Sequence, residues 1–402
     1  MTHVRRTPRI YIRLGCLILA VLLVCPIPYW VYHSRILVQA SPFVTICTML
    51  AGGTLGLGSI FGIGFSIVVI FRKRWFCRYI CPVGLILDGA SGMGFKKHSW
   101  WTECPSIGRY VALITAAGAV TGYPLLLWMD PLIFFNSAFS VFTSESAVLS
   151  VLSITGFIIL ILISITSGGL WCVRICPLGA TQDLMSNIGS ILKKIKTTQK
   201  PESDNGLKIQ ESFPVTRRTL LAIAAGMGLS LWAKNSGMAR AEKVLRPPGS
   251  IDEDEFTGQC VRCGNCTRVC PSEIIQADTG KSGVLGFMTP VVSYKKGYCI
   301  ETCNECTKIC PSGALKKLTL DKKNKYIIGR ALLDPSLCYM VRGVNDCDIC
   351  VRSCPFDAVY TYWDDEAYVA FPFVDPAKCN GCGACERFCP TGDIRAITVL
   401  KV

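Results

Sequence analysis

Sixteen of the chain's twenty-four cysteines lie after residue 259, in four groups that each end in Cys-Pro. The first group is Cys260, Cys263, Cys266 and Cys270, and the fourth is Cys379, Cys382, Cys385 and Cys389. Both have the C-x2-C-x2-C-x3-C-P spacing in which three close thiolates wrap one iron–sulfur cube and the fourth reaches a neighbouring cube. The second group, Cys299, Cys303, Cys306 and Cys310, widens the first gap by one residue, and the third, Cys338, Cys347, Cys350 and Cys354, replaces that gap with a longer loop. Sixteen thiolates complete four 4Fe–4S clusters, and the chemistry they offer is one-electron transfer. Zinc sites usually set two Cys pairs apart by a longer loop, and disulfides do not call for a proline after every fourth cysteine. Neither explains four repetitions of one pattern.

A second constellation lies earlier. Cys77-Arg-Tyr-Ile-Cys81-Pro-Val-Gly and Cys172-Val-Arg-Ile-Cys176-Pro-Leu-Gly are related sequences, each followed by an aspartate seven residues after the second cysteine, Asp88 and Asp183. The match implies a duplicated helical hairpin that places equivalent groups side by side. These four thiols could hold a further metal or cluster, form redox-active pairs, or lie reduced at helix ends. The duplication favours a redox or metal role. Cys104 could join them, whereas Cys16, Cys25 and Cys47 read as small apolar fillers. Asp88 and Asp183 could relay protons or orient the Cys loops, but helix-start or interfacial carboxylates explain them equally; Asp130 and Glu145 could receive protons on the opposite side. None of the four is assigned a role. Gly179-Ala180-Thr181 faintly matches a flavin-attachment sequence, but it repeats the context after Cys81 and no flavin is assigned. The histidines, His3, His33 and His98, all lie outside apolar stretches, which excludes a haem held between two intramembrane histidines.

The elements that must position these groups follow from charge and apolar runs. Half the residues are hydrophobic. Four uncharged stretches meet the roughly 20 residues that a membrane-spanning helix needs: Leu14 to Tyr32, one within Ile36 to Phe71, Tyr110 to Met129, and Ser146 to Cys172. The formal charge of +14 is lopsided: residues 1–234 hold 21 Lys and Arg against 8 Asp and Glu, and the remainder holds 21 against 20. Basic residues beside apolar spans orient a membrane protein, so nucleic-acid binding gains no support. Arg5, Arg6, Arg9 and Arg13 precede the first span, and seven and eight basic residues follow the second and fourth. That bias puts the N-terminus and both Cys-x3-Cys loops on the cytoplasmic face, with the loop from Asp130 to Glu145 outside.

Residues 193–215 read as a polar, Lys-rich linker. Thr216-Arg217-Arg218-Thr219-Leu220-Leu221, an apolar run to Ala233, and Ala239-Arg240-Ala241 are the parts of a twin-arginine export signal, embedded inside the chain. A plain fifth helix is the alternative, and both carry the remainder outward. Beyond Arg246-Pro247-Pro248-Gly249 come short apolar runs, turns and Cys clusters. The expected fold is therefore a membrane α-helical bundle of four spans over residues 1–192, the linker, a signal-like or anchor helix over 216–241, and an α+β poly-ferredoxin domain with four 4Fe–4S clusters over 242–402.

Read together, the two halves resemble a fusion of the quinol-dehydrogenase subunits of periplasmic nitrate reductase systems. Residues 1 to about 200 look like the membrane subunit NapH, on the four spans and two Cys-x3-Cys-Pro motifs. Residues 214–402 look like NapG, on the twin arginines, Arg246-Pro-Pro-Gly and the four cluster motifs. The resemblance implies a prokaryotic inner-membrane quinol dehydrogenase within a multi-subunit complex, passing electrons to an extracytoplasmic cytochrome or terminal reductase. It also implies that the first Cys group shares its cubes with the fourth and the second with the third, although pairing of adjacent groups stays open. A departure is that Lys193 to Gln210 holds no cysteine, where the membrane subunit carries two further ferredoxin motifs. Two rival functions are assembly or regulation of a metal-containing respiratory enzyme, and reverse electron flow into the quinone pool.

Overall fold

The computed structural model describes residues 7–25, 31–52, 56–93, 105–142, 147–197, 216–236, 244–365 and 368–401. His3, His98, Cys104, Glu145 and the Ala239-Arg240-Ala241 site lie outside them. The chain forms two compact units, one of Met1–Ser236, Asp254–Cys263 and Pro311–Ala314, the other of Gly237–Glu253, Gly264–Cys310 and Leu315–Val402.

The first unit is helical. Its helices are α1 (Thr7–Val24), α2 (Ser34–Gln39), α3 (Pro42–Leu50), α4 (Leu57–Phe71), α5 (Trp75–Tyr79), α6 (Pro82–Gly92), α7 (Ile107–Val120), α8 (Pro131–Ala138), α9 (Ala147–Ser167), α10 (Pro177–Thr197) and α11 (Arg217–Asn235), with most of α12 (Glu253–Gln259) added. Among the described residues one helical stretch, Ser150–Ser167, is long and apolar enough to cross a membrane; Gly58–Phe71 and Ile107–Val120 are shorter apolar helices. Four full-length spans are therefore not what the fold displays. The second expected stretch is broken into α2, α3 and α4. The third ends at Val120, where Thr121 and Gly122, the latter at φ +82°, turn the chain. The linker expected from residue 193 also starts later, since α10 continues to Thr197.

The expected duplication is visible in the packing. α10 lies against α4, so closely that a Cβ on Gly189 would collide with the Ile70 carbonyl. The other halves meet likewise, with Ser164 of α9 donating from Oγ to the Leu87 carbonyl of α6 at 2.9 Å. Each repeat thus packs its first helix on the other's second. α11 begins at the twin arginines and crosses α7 through small residues. Added Cβ atoms on Gly226 and Gly118 would meet the Ile114 carbonyl at 2.6 Å and collide with Ser230 Oγ.

The segment expected as an outward loop after Asp130 is instead a buried helix. Pro131, Leu132, Ile133 and Phe135 of α8 lie in the core. Asp130, fully buried, caps it by accepting from the Leu132 amide at 2.8 Å and from Ser41 Oγ at 2.5 Å. The run Asp-Pro-Leu-Ile-Phe-Phe is a helix start with Pro at its first position, and its apolar residues have a core to enter.

The second unit has three two-stranded antiparallel sheets. They pair β1 (Ile275–Ala277) with β2 (Pro290–Val292), β3 (Arg330–Leu333) with β6 (Ile397–Leu400), and β4 (Val359–Asp364) with β5 (Val369–Val374). Between them run helical turns of four or five residues, α13 (Asn265–Val269), α14 (Gly283–Gly286), α15 (Glu305–Ile309), α16 (Leu320–Asn324), α17 (Ile349–Arg352) and α18 (Ala384–Phe388). No element there is long enough to build a conventional core, so the unit closes around its cysteines. The Arg246-Pro-Pro-Gly segment anchors its start. Arg246 is buried, pairs with Glu253, and donates from Nη1 to Thr289 Oγ1 at 2.9 Å and the Pro290 carbonyl at 2.8 Å.

Candidate functional site

Three of the helical turns, α13, α15 and α18, each carry the third cysteine of a group, and each stops at the fourth. The stop is local chemistry. Cys270, Cys310 and Cys389 precede proline, which disfavours the helical region for the residue before it, and their ψ angles are 111°, 120° and 126°. Each fourth cysteine is thereby turned away from its own trio. Gly264, Gly381 and Gly383, at φ +74°, +75° and +81°, supply the left-handed turns between the close cysteines. Backbone amides then approach sulfur, as Leu315 N–H does Cys310 Sγ at 3.4 Å and Ala358 N–H does Cys354 Sγ at 3.3 Å.

The thiols assemble as quartets. Cys270 lines one cavity with Cys299, Cys303 and Cys306. Cys354 lines a second with Cys379, Cys382 and Cys385. Cys350 is coupled electrostatically to Cys338, Cys347 and Cys389, the three thiols that act on it. Burial first, and the neighbouring thiols second, push Cys350 and, with the nearby Cys354, Cys382 up to about 12. Such crowded buried sulfurs keep their protons unless a cationic centre takes their place. Among the described residues, no three His, Cys, Asp or Glu side chains converge as a single metal ion requires. Two of the quartets line cavities, as thiolates that share a polynuclear cluster must.

This arrangement corrects the pairing implied by the resemblance. The first group gives its last cysteine to the second, and the third and fourth groups exchange theirs, so partners are adjacent in sequence. The reason lies in the strands. β3 pairs with β6 from Arg330↔Leu400 to Leu333↔Ile397, which closes residues 334–396 into one module holding both the third and the fourth groups.

The two modules of this unit touch at their cysteines. The Cys299 amide donates to the Cys382 carbonyl at 2.8 Å. Tyr294 is buried beside the same contact, donates its hydroxyl to the Gly381 carbonyl, and lies against Gly383, where any Cβ would enter its ring. Lys323, also buried, places Nζ 2.5 Å from the Ile300 carbonyl and hydrogen-bonds Cys299. Neither residue was singled out by motif, because nothing in the spacing marks a tyrosine or a lysine as neighbour to a cluster.

In the first unit, Cys77, Cys81, Cys172 and Cys176 line one cavity of about 220 Å³, together with Arg9, Arg13, Arg74 and Arg78. Cys16, Cys25 and Cys47 are not among its lining residues. The duplicated motif is duplicated in conformation: Cys81 has φ −59°, ψ 112° and Cys176 φ −62°, ψ 117°. Each accepts at Sγ from the glycine three residues on, Gly84 at 3.4 Å and Gly179 at 3.5 Å. Both aspartates pair with arginines that line the cavity. Asp183 accepts from Arg74 Nε at 2.9 Å and from Nη2 at 2.5 Å, and Asp88 pairs with Arg13 at 2.7 Å. Gln182, not foreseen, donates from Nε2 to Cys77 Sγ at 2.9 Å.

Cysteine quartets held by short turns define the class: a poly-cluster ferredoxin. Residues 259–314 match a family model described as a 4Fe-4S dicluster domain, 372–395 one described as a 4Fe-4S binding domain, and 54–99 with 149–196 another 4Fe-4S binding domain. The methylamine utilization ferredoxin-type protein MauM of Methylobacillus flagellatus is 33% identical over 228 residues, 54% of this chain and 91% of that protein. MauM of Methylorubrum extorquens is 36% identical over 183 residues, 44% and 80% of the two chains. The ferredoxin-type protein NapG of Escherichia coli is 37% identical over 177 residues, 41% and 74%. No solved structure matches the chain. The chain belongs to the family of ferredoxin-type 4Fe–4S electron-transfer proteins that includes MauM and NapG.

Proposed function

We propose that the protein is a membrane-anchored electron carrier that oxidises quinol and passes electrons singly, through four 4Fe–4S clusters, to an extracytoplasmic cytochrome or reductase. The observation that carries the reading is the gathering of cysteines from adjacent groups into quartets around shared cavities. Spacing assigns the remaining four, Cys260, Cys263, Cys266 and Cys310, to the fourth cluster. Each cube supplies a one-electron couple when bound. The chain's own residues hold it by four thiolates, exclude water and set its surroundings. The Cys299–Cys382 contact and Tyr294 provide the short route between the inner pair of clusters, which makes the cluster of Cys338, Cys347, Cys350 and Cys389 the terminal one.

Support for the membrane role comes from the exposed faces of the first unit. Ile18 and Leu19 of α1, Ile60, Phe61 and Phe71 of α4, Ile159 and Leu162 of α9, and Leu221 and Trp232 of α11 all project outward. Apolar side chains on that scale suit lipid. With them go the excess basic residues, which favour a cytoplasmic N-terminus and a far-side ferredoxin unit. The close crossing of α11 on α7 supports an anchor that is retained. On this reading the first half is a NapH-like membrane part fused to a NapG-like electron carrier, and quinol is oxidised within the membrane part.

The test is anaerobic titration of the purified, detergent-solubilised protein with a reduced quinol analogue, following cluster absorbance and the electron paramagnetic resonance of reduced cubes. Bleaching by quinol with recovery on addition of an oxidised cytochrome is the expected result. Clusters that dithionite reduces but quinol leaves oxidised at every pH would overturn the quinol step and leave the electron carrier standing.

A further inference from the structure

We propose that Cys77, Cys81, Cys172 and Cys176 together hold one additional 4Fe–4S cluster, with two thiolates from each half of the duplicated hairpin. Each of the two matched segments, 54–99 and 149–196, contains only two cysteines, half of what a cubane takes. Neither hairpin can hold a cube alone. The fold brings all four sulfurs to one cavity of about 220 Å³, and it does so by exchange, α4 on α10 and α9 on α6.

The surroundings suit a cluster and not a bare thiol pair. Cys81 and Cys176 each receive a backbone amide at the first turn of a helix, and Cys77 receives the Gln182 amide. Hydrogen bonds to sulfur and positive charge nearby stabilise a thiolate-bound, electron-accepting centre. The charge is supplied by Arg9, Arg13, Arg74 and Arg78, and Arg74 is locked across the two repeats by Asp183. The cavity is also connected. Pro131 at the start of α8 lines it, and Asn136 near the other end of that helix donates to the Cys263 carbonyl at 2.7 Å. A buried helix of about 12 Å therefore leads from this site to a cysteine of the first ferredoxin group. The inference is independent of the quinol reading.

Iron and acid-labile sulfide in the full, anaerobically isolated chain test it. Five clusters predict about 20 iron atoms per chain, and four predict about 16. The double variant Cys77→Ser, Cys172→Ser is expected to lose about four irons and one Mössbauer component, with the ferredoxin signals retained. Gln182→Leu keeps all four ligands. It is expected to leave iron content unchanged and to lower the midpoint potential of one cluster only, an effect that a merely structural glutamine would not have. A wild-type count of about 16, stoichiometric zinc, a two-iron spectrum, or a disulfide within either motif would each overturn the proposal, as would an unshifted potential in Gln182→Leu.

Discussion

A single buried charge sets how readily a cluster takes an electron. Lys323 is 2% exposed, and its ammonium hydrogen-bonds the Ile300 carbonyl and Cys299 beside one quartet. Lys323→Met removes a positive charge that favours the reduced cube. If that charge is worth about 1.4 kcal/mol, the potential falls by roughly 60 mV, which a redox titration monitored by paramagnetic resonance resolves. Arg246 acts on stability. Its guanidinium, 4% exposed, ties Glu253 to the Thr289–Pro290 backbone, so Arg246→Ala strands a mostly buried carboxylate. Lys401, 3.3 Å from Glu253, offsets part of the loss. A cost of about 3 kcal/mol is expected, read as a lowered unfolding midpoint of the cluster-loaded protein, with cluster spectra unchanged below it.

At the scale of elements, the left-handed glycines and the helix crossings are the sensitive points. Gly383 caps α18 at φ +81° and leaves no room for a Cβ beside Tyr294. Gly383→Ala must displace that ring or the turn that spaces Cys382 from Cys385. Loss of the cluster held by Cys354, Cys379, Cys382 and Cys385 is the expected outcome, seen as about four missing irons while the cluster of Cys270, Cys299, Cys303 and Cys306 persists. In the helical unit, Gly226 sits where α11 crosses α7. Gly226→Val sets a branched side chain against the Ile114 carbonyl, where even a Cβ comes to 2.6 Å. A destabilised crossing follows, measured as faster proteolysis between α10 and α11 in the variant.

For the whole molecule, cofactor and fold are one equilibrium in the ferredoxin unit. With helical turns of five residues or fewer after Gly264, its structure has little to sustain it without iron. Oxidative removal of iron with ferricyanide and chelator is expected to abolish its circular dichroism signal and leave that of the long helices, because cluster binding energy is folding energy here. The helical unit makes a second prediction. With α11 built into the bundle through Thr219, Ala222, Gly226, Ser230 and Ala233, an uncut chain past Ala241 is the expected outcome. Mass spectrometry of the membrane-extracted protein checks this; a fragment beginning at Glu242 would show that the segment is cut.

What the amino-acid sequence determined by itself was chemistry of short reach. Cysteine spacings follow from the bond lengths and angles of a cube, which act over a few residues, so four cluster motifs, their Cys-Pro stops and the duplicated Cys-x3-Cys-Pro hairpins were all legible. Charge asymmetry and apolar runs were legible for the same reason, although apolar length alone overcounted full-length spans and left α8 as a loop. Only the tertiary structure decided which fourth cysteine meets which trio, because strands some 70 residues apart close the module that holds the third and fourth groups. It likewise decided that two hairpins pool their thiols, and that Gln182, Arg74, Tyr294 and Lys323 stand beside sulfur. Those contacts depend on how distant elements pack, and no local spacing encodes them.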